Sequence, residues 1–230
     1  MPVHRQLRWQ MTAFLAAAGA LNFADRAAMS SVLSAVRVDL ALSDVALGML
    51  GSFFLWSYAA GSLADRYSRS RIVVVSLIAW SAVTTLTGLA GSFPVLLVLR
   101  VALGITECLF FPAAFALIAH YHGPTTRGRA MSLMSIGINC GMVLGGSAAG
   151  YLSQQFGWRS GFLVFGLLGV LLALSSHSFL PPPAMPSPAA APRHSFLAWL
   201  LHVEGRRRLM FYYHGDSRGN CPLWVTEVML

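Results

Sequence analysis

Long apolar runs separated by short polar connections dominate this sequence. Each of six runs, roughly 20 residues long, can form a helix that crosses the hydrocarbon core of a bilayer. Charged residues make up only 10% of the chain, whereas a soluble domain carries about 25%. The pattern predicts an all-α membrane protein with six transmembrane helices, at residues 9–35, 44–64, 72–90, 94–121, 126–154 and 161–180.

The arginines between the runs predict how the helices are oriented. All 16 basic residues are arginine; twelve fall on the side that holds the N-terminus and the tail, and two, Arg37 and Arg159, fall on the other. Because basic connections stay in the cytoplasm, both the N-terminus and the tail are expected there. The absence of lysine suggests a GC-rich bacterial genome, so the expected membrane is the bacterial inner membrane. The net charge of +8 therefore reflects topology, and no nucleic-acid partner is predicted.

No cofactor or metal site is predicted from the cysteines and histidines. Cys108 and Cys140 lie inside apolar runs and Cys221 lies in the tail, without metal or disulfide spacing. The seven histidines lie in connections, at the ends of runs or in the tail. An enzyme that works within the membrane needs a nucleophile beside a base at depth. Since no such pair occurs here, the chain is not expected to be an enzyme.

Two of the runs carry charged residues at membrane depth. The first contains Asn22, Asp25 and Arg26, whose three- and four-residue spacing places them on one helix face. The fourth contains Arg100 and Glu107, which are seven residues and two helical turns apart. Because an ionised group in hydrocarbon is costly, the two faces are expected to meet at a central, water-accessible site. The alternatives are structural ion pairs between helices, or a first run that ends before Asp25.

Proline and glycine predict local features of two helices. Pro112 cannot donate a backbone hydrogen bond to the carbonyl of Cys108, so the fourth helix is expected to loosen one turn beyond Glu107. Irregular backbone at this depth usually lines a cavity. In the fifth run, glycines recur at every fourth position and predict close helix packing. These glycines are Gly137, Gly141 and Gly145.

The connection GSLADRYSRSR, between the second and third runs, resembles the loop signature of the major facilitator superfamily, G-x-x-x-D-R-x-G-R-R. The matching residues are Gly61, Asp65, Arg66 and Arg69, and serines stand at two other positions of the pattern. The segments NFADR, RVALGITECLFFPA and GWRSGF resemble one branch, the anion:cation symporter family of sugar-acid, phthalate, sialic-acid and glutamate carriers. The resemblance covers about residues 8–180. It implies an N-terminal half built as a 3+3 inverted repeat.

This resemblance implies a role for each charged residue at depth. Arg26 corresponds to the arginine that binds the substrate carboxylate. Asp25 and Glu107 correspond to the proton-linked acids, and Arg100 to the partner that tunes the glutamate. The implied partners are therefore a small organic anion, a proton and the lipid bilayer. Two weaker candidates for binding hydroxyl groups of a sugar acid are Tyr58 and Asn139.

The sequence divides into three parts. Residues 1–180 form the expected six-helix bundle, and residues 181–194 form a Pro/Ala-rich cytoplasmic linker. Residues 195–230 contain no apolar run long enough to span a bilayer, and they read as a truncated or out-of-frame tail. A short amphipathic surface helix is the alternative for this tail. Because complete carriers of this kind have two halves, a missing C-terminal half is a candidate partner.

Three functions are consistent with these residues. The first is proton-coupled transport of a small organic anion, such as a sugar acid, by a truncated half-transporter. The second is a membrane fragment without transport activity, produced from a truncated or frameshifted gene. The third is a drug/proton antiporter of the same fold, which shares the loop signature. The acid–arginine pairs in the first and fourth runs favour an anionic substrate over a drug.

Overall fold

The computed structural model of the chain describes residues 5–61 and 69–180. Within these residues every regular element is a helix, as expected, and there are seven: α1 Arg5–Asp39, α2 Asp44–Gly61, α3 Arg69–Thr87, α4 Phe93–Glu107, α5 Phe110–Tyr121, α6 Pro124–Phe156 and α7 Trp158–Phe179. The described helices belong to one unit, Met1–Ser187.

Four stretches of the described chain are long and apolar enough to cross a membrane. They are Ser70–Thr87, Phe93–Tyr121, Pro124–Phe156 and Trp158–Ser176. Helix α1 falls outside this group although it is 35 residues long, because polar residues occupy its middle. The predicted count of six spans and the predicted 3+3 repeat therefore stay predictions.

The fourth predicted span consists of two helices. Helix α4 ends at Glu107 and α5 begins at Phe110. The break lies where Pro112 has no N–H to donate to the preceding turn. The N–H of the next residue, Ala113, reaches the carbonyl of Leu109 at 3.4 Å, which is long for a helical hydrogen bond. The loosening predicted from Pro112 is confirmed, and it begins directly after the buried glutamate.

Helix α6 packs against α1 through its row of glycines. A β-carbon placed on any of these glycines would collide with the backbone of an alanine on α1. The pairs are Gly137 with Ala16, Gly141 with Ala20 and Gly145 with Ala24. Small residues let membrane helices approach until their backbones touch. The close packing predicted from this spacing is confirmed.

Helix α2 packs against α4 in the same manner. A β-carbon on Gly104 of α4 would meet the hydroxyl group of Ser57 and the carbonyl oxygen of Phe54. Gly104 lies between the two charged residues of α4, so this contact brings the face of α2 that carries Phe54 and Tyr58 next to them. Helix α3 packs mainly on α7.

Two hydrophobic clusters fill the bundle. The first includes the buried apolar residues between positions 11 and 18 of α1, together with Trp80 and Phe110. The second includes the buried apolar residues between positions 28 and 36 of α1, together with Leu96 and Phe162. Along α1, the polar residues from 22 to 26 therefore lie between two apolar layers. Large apolar side chains that remain exposed elsewhere on the bundle suit a surface that faces lipid; examples are Trp56, Val143, Leu144 and Leu174.

Several predicted features lie outside the described residues. Asp65 and Arg66 of the loop signature are among them. Gly61 and Arg69 mark the end of α2 and the start of α3. The predicted linker at 181–194 and the predicted tail at 195–230 also lie outside, so their organisation stays a prediction.

Candidate functional site

A buried ion pair joins α1 to α4. The Nε of Arg26 donates to Oε2 of Glu107 at 2.8 Å. The Glu107 side chain is 0% exposed, whereas that of Arg26 is 22% exposed. The charged faces predicted on the first and fourth spans therefore meet, as their spacing indicated. Arg26 is therefore the more accessible member of the pair.

Three aromatic rings surround the Arg26 guanidinium. Its Cζ lies 4.5 Å from the ring centre of Tyr58, 5.0 Å from that of Phe23 and 5.2 Å from that of Phe54. Cation–π contacts of this kind hold a guanidinium without using its N–H donors. Tyr58, a predicted substrate-binding residue, therefore lies at the site and contacts the predicted carboxylate-binding arginine. Its role toward substrate stays a prediction.

Asp25 is held by a residue that the sequence analysis did not single out. Thr84 of α3 donates its hydroxyl hydrogen to Oδ2 of Asp25 at 2.5 Å, and both side chains are buried. Two neighbouring threonines of α3, Thr85 and Thr87, instead donate to carbonyls of their own helix. A threonine in an apolar helix usually bonds in that local way. Nothing in the sequence distinguishes Thr84 from its neighbours.

Arg100 lies deeper in the bundle and contacts a ring of α7. It is 4% exposed, and its Cζ lies 5.4 Å from the ring centre of Phe162. It interacts electrostatically with both acids, Asp25 and Glu107. Its Nε and Nη2 make no hydrogen bond with the described residues. The hydrogen bond to Glu107 comes from Arg26, and the predicted role of Arg100 as the partner that tunes this acid stays a prediction.

Several other buried polar atoms of this region also lack a hydrogen-bond partner within the described chain. They are both amide atoms of Asn22, Oδ1 of Asp25, Nη2 of Arg26 and Oε1 of Glu107. Buried polar atoms are nearly always paired in proteins, and leaving one unpaired costs about 1–3 kcal/mol. A group of such donors and acceptors, contributed by two helices, is suited to a small polar ligand or to ordered water.

Asn139, the other predicted hydroxyl-binding residue, is not joined to the ion pair. It is exposed on α6, and its Nδ2 donates to the carbonyl of Ser135 on the same helix at 2.8 Å. No described contact links it to Arg26 or Glu107, so its role stays a prediction. Among residues 5–61 and 69–180, no group of three or more His, Cys, Asp or Glu side chains could hold a metal ion.

A polar cluster at one end of the bundle was not predicted as a unit. Asp39, the last residue of α1, accepts a hydrogen bond from Nε1 of Trp158 at 3.2 Å and pairs with Arg159 at 2.9 Å. Arg159 also donates to the carbonyl of Ala90 at 3.1 Å. The Trp158 hydrogen bond and Arg159 lower the pKa of Asp39 below its usual value. The segment GWRSGF therefore joins α1, α7 and the connection before α4.

A second cluster lies at the opposite end of α1. His122 is 1% exposed. Its Nε2 lies 2.9 Å from the hydroxyl of Thr12, and its Nδ1 lies 3.3 Å from that of Thr126. Because the Thr12 hydroxyl donates to the carbonyl of Arg8, it can only accept from Nε2–H. Burial lowers the pKa of His122 and so favours the neutral imidazole, here with its hydrogen on Nε2.

Comparison with known sequences gives consistent matches. The family model described as Major Facilitator Superfamily matches residues 15–215. The probable galactarate/D-glucarate transporter GudP of Bacillus subtilis is 32% identical over 179 residues, which are 73% of this chain and 39% of that protein. An MFS-type efflux pump of Mycolicibacterium smegmatis is 33% identical over 171 residues, 72% of this chain and 40% of the pump. The chain thus spans about two fifths of the length of these relatives.

The fold of the chain is also similar to that of a solved transporter structure. It is a bacterial homolog of the human lysosomal transporter Spinster in an inward-facing, unoccupied conformation. The similarity has a TM-score of 0.72 at 27% identity, and it covers 88% of this chain and 50% of the other. These relatives are transporters and not enzymes, and the resemblance inferred from the sequence motifs is confirmed. The chain belongs to the major facilitator superfamily.

Proposed function

We propose that the chain supplies the anion-binding half of a proton-coupled carrier for small organic anions. The observation that carries this proposal is the Arg26–Glu107 pair, which is buried on the acid side and accessible on the arginine side. The similarity to a probable galactarate/D-glucarate transporter supports a sugar acid as the anion. In this proposal the bundle lies in the bacterial inner membrane, with both ends of the chain in the cytoplasm.

Arg26 has the donors needed to bind a carboxylate. A guanidinium presents five N–H groups in one plane, and two of them can bind both oxygens of a carboxylate. Glu107 occupies Nε, whereas Nη2 has no partner among the described residues. The surrounding rings of Tyr58, Phe23 and Phe54 limit the motion of the group. Little side-chain freedom is then lost when the anion binds.

The charges of the site couple the anion to protons. Asp25 and Glu107 balance Arg26 and Arg100, so the site is neutral when all four groups are ionised. An added proton on Glu107 removes the charge that faces Arg26 and leaves a net charge of +1. A substrate carboxylate then restores neutrality, which a low-dielectric site favours. We therefore expect one proton to enter with each carboxylate group of the substrate.

A drug/proton antiporter is the second candidate, because the efflux pump from M. smegmatis is similar to the same part of the chain. A cationic drug would need an acid that no arginine already neutralises. In this site Glu107 is paired with Arg26, and both arginines interact electrostatically with Asp25. The charge arrangement therefore favours the anion.

Binding is the direct test of this proposal. The 230-residue chain would be placed in lipid nanodiscs, and binding of radiolabelled D-glucarate would be measured in neutral and acidic buffer. We expect Arg26→Ala to weaken binding at least about tenfold, since a charge-assisted bond contributes about 1.5–3 kcal/mol. Arg37→Ala is the matched control, because Arg37 lies on the same helix and pairs with an exposed acid, Asp44. Glucarate binding that survives Arg26→Ala would contradict the proposal.

Transport assays in proteoliposomes separate the remaining functions. Glucarate uptake driven by an inward proton gradient supports the carrier, and dye efflux supports the antiporter. Binding without transport supports a half that needs the remainder of a carrier as its partner. Absence of both binding and transport supports a fragment without activity.

A further inference from the structure

We propose that Thr84 is a positioning residue that holds Asp25 in one place in both of its protonation states. The observation is the 2.5 Å hydrogen bond from the Thr84 hydroxyl on α3 to Oδ2 of Asp25 on α1. Both side chains are almost fully buried, at 2% exposure each. The meaning of this contact for transport rests on the proposed function, whereas the contact itself does not.

Thr84, which donates to Asp25, and Arg26, which donates to Glu107, differ in the hydrogen bonds that they can make. A hydroxyl group has one hydrogen to donate and lone pairs that accept. Thr84 can therefore donate to the Asp25 carboxylate and can also accept from the Asp25 carboxylic acid. The N–H groups of Arg26 can only donate. A proton on Oε2 of Glu107 would therefore break the bond between Arg26 and Glu107, whereas a proton on Oδ2 of Asp25 would only reverse its bond to Thr84.

The proton step involves no change in covalent bonds to Thr84. The Asp25 carboxylate takes a proton from water at Oδ2, and the new O–H donates to the Thr84 oxygen. The Thr84 hydrogen turns toward a carbonyl of its own helix, the bond that Thr85 and Thr87 already make. Loss of the proton to water returns each group to its first arrangement. Asp25 thus gains and loses a proton without losing its partner.

The other groups that face Asp25 are charged. Arg100 and Arg26 interact electrostatically with Asp25, and Glu107 does so as well. Thr84 is the neutral donor to Asp25 among the described contacts. Two acids at one site thus have partners of different kinds. We infer that Asp25 accepts a proton without rearrangement, while protonation of Glu107 releases Arg26.

Infrared difference spectroscopy on the full chain in nanodiscs tests the contact. The difference between spectra taken in neutral and acidic buffer contains the carboxyl band of Asp25. This band is assigned as the one that is absent from the spectra of Asp25→Asn. We expect Thr84→Val, which removes the hydroxyl but keeps the shape, to shift this band. Thr84→Ser should restore the parental position because it keeps the hydroxyl. Thr87→Val is the matched control, since Thr87 is buried on the same helix but donates to Val83.

The proposal is overturned if the Asp25 band stays in place in Thr84→Val. It is also overturned if Thr84→Ser shifts the band as valine does, because packing would then be responsible. An Asp25 that shows no change between the two buffers would contradict it as well. Should Thr84→Val not yield folded protein, Thr84→Ala provides the same comparison without added bulk. Glucarate binding measured on the same samples reports separately on the proposed function.

Discussion

Gly141 of α6 lies so close to Ala20 of α1 that a β-carbon on the glycine would overlap the alanine backbone. This contact lies just before the segment of α1 that carries Asn22, Asp25 and Arg26. The position of the ion pair with Glu107 therefore depends on how closely α6 approaches α1. Four predictions follow from this contact and from three of the polar side chains described above.

A large side chain in place of Gly141 should separate α1 from α6. The atoms that it would meet belong to backbone, which cannot rotate away. We therefore expect Gly141→Leu to lower the free energy of unfolding by about 1–3 kcal/mol. The measurement is the melting temperature of the chain in nanodiscs. Gly150→Leu is the matched control, because Gly150 lies on α6 with no atom within 4 Å of its added β-carbon. Equal melting temperatures for the two variants would contradict the prediction.

Glu107→Gln should lower the number of protons taken up with the anion. Glutamine has a similar shape but neither takes up a proton nor neutralises Arg26. We expect glucarate, a dicarboxylate, to bind Glu107→Gln with about one proton fewer than the parental chain takes up, because the charge balance of the site requires about one proton per carboxylate in the parental chain and Asp25 remains able to accept one. Proton uptake is measured as the pH change of a weakly buffered sample on mixing. Asp44→Asn, which removes an exposed acid, should behave as the parental chain does.

His122 should make stability fall on mild acidification. Burial lowers its pKa in the folded state, so the unfolded state, with an ordinary pKa near 6.5, binds the proton more readily. Stability is therefore retained above about pH 6.5 and decreases as the pH falls below it. Melting temperatures across this range should decrease less in His122→Gln. His120→Gln is the control for loss of an exposed histidine, and it should keep the parental dependence.

Asp39 should add stability at neutral pH that strong acid removes. The Trp158 hydrogen bond and Arg159 lower its pKa in the folded state. Its contribution is then complete above the ordinary value near 3.9 and is lost as the pH falls through the lower folded value. We expect Asp39→Asn to melt at a lower temperature than the parental chain at neutral pH and at an equal temperature in strong acid. A difference that persists in strong acid would mean that packing, not charge, is affected.

The parts of the site that could be predicted are those in which a residue type is energetically costly in an apolar run. Asp25, Arg26, Arg100 and Glu107 stand out because charges are rare in apolar runs and must meet one another. The break after Glu107 was predicted because Pro112 lacks a donor. In each case one residue type imposes a requirement that few arrangements satisfy.

The remaining parts depend on tertiary contacts that have no such local signal. Thr84 and Thr87 lie in the same apolar run, yet of these two only Thr84 reaches across to another helix. Phe23 and Phe54 resemble the aromatic residues of a surface that faces lipid. Asn139 was predicted to bind substrate because a polar side chain in an apolar run suggests a pocket; it is exposed on its helix, and its role stays a prediction.

The break between α4 and α5 lies directly beside the acid of the ion pair. Phe110 at the start of α5 packs edge-on against Trp80 of α3, with ring centres 4.9 Å apart, so α5 is anchored. Glu107 is the last residue of α4, on the other side of the irregular turn. Because of the turn, the acid of the ion pair lies at the junction of two helices, and its backbone is not continued by an unbroken ladder of helical hydrogen bonds on the C-terminal side.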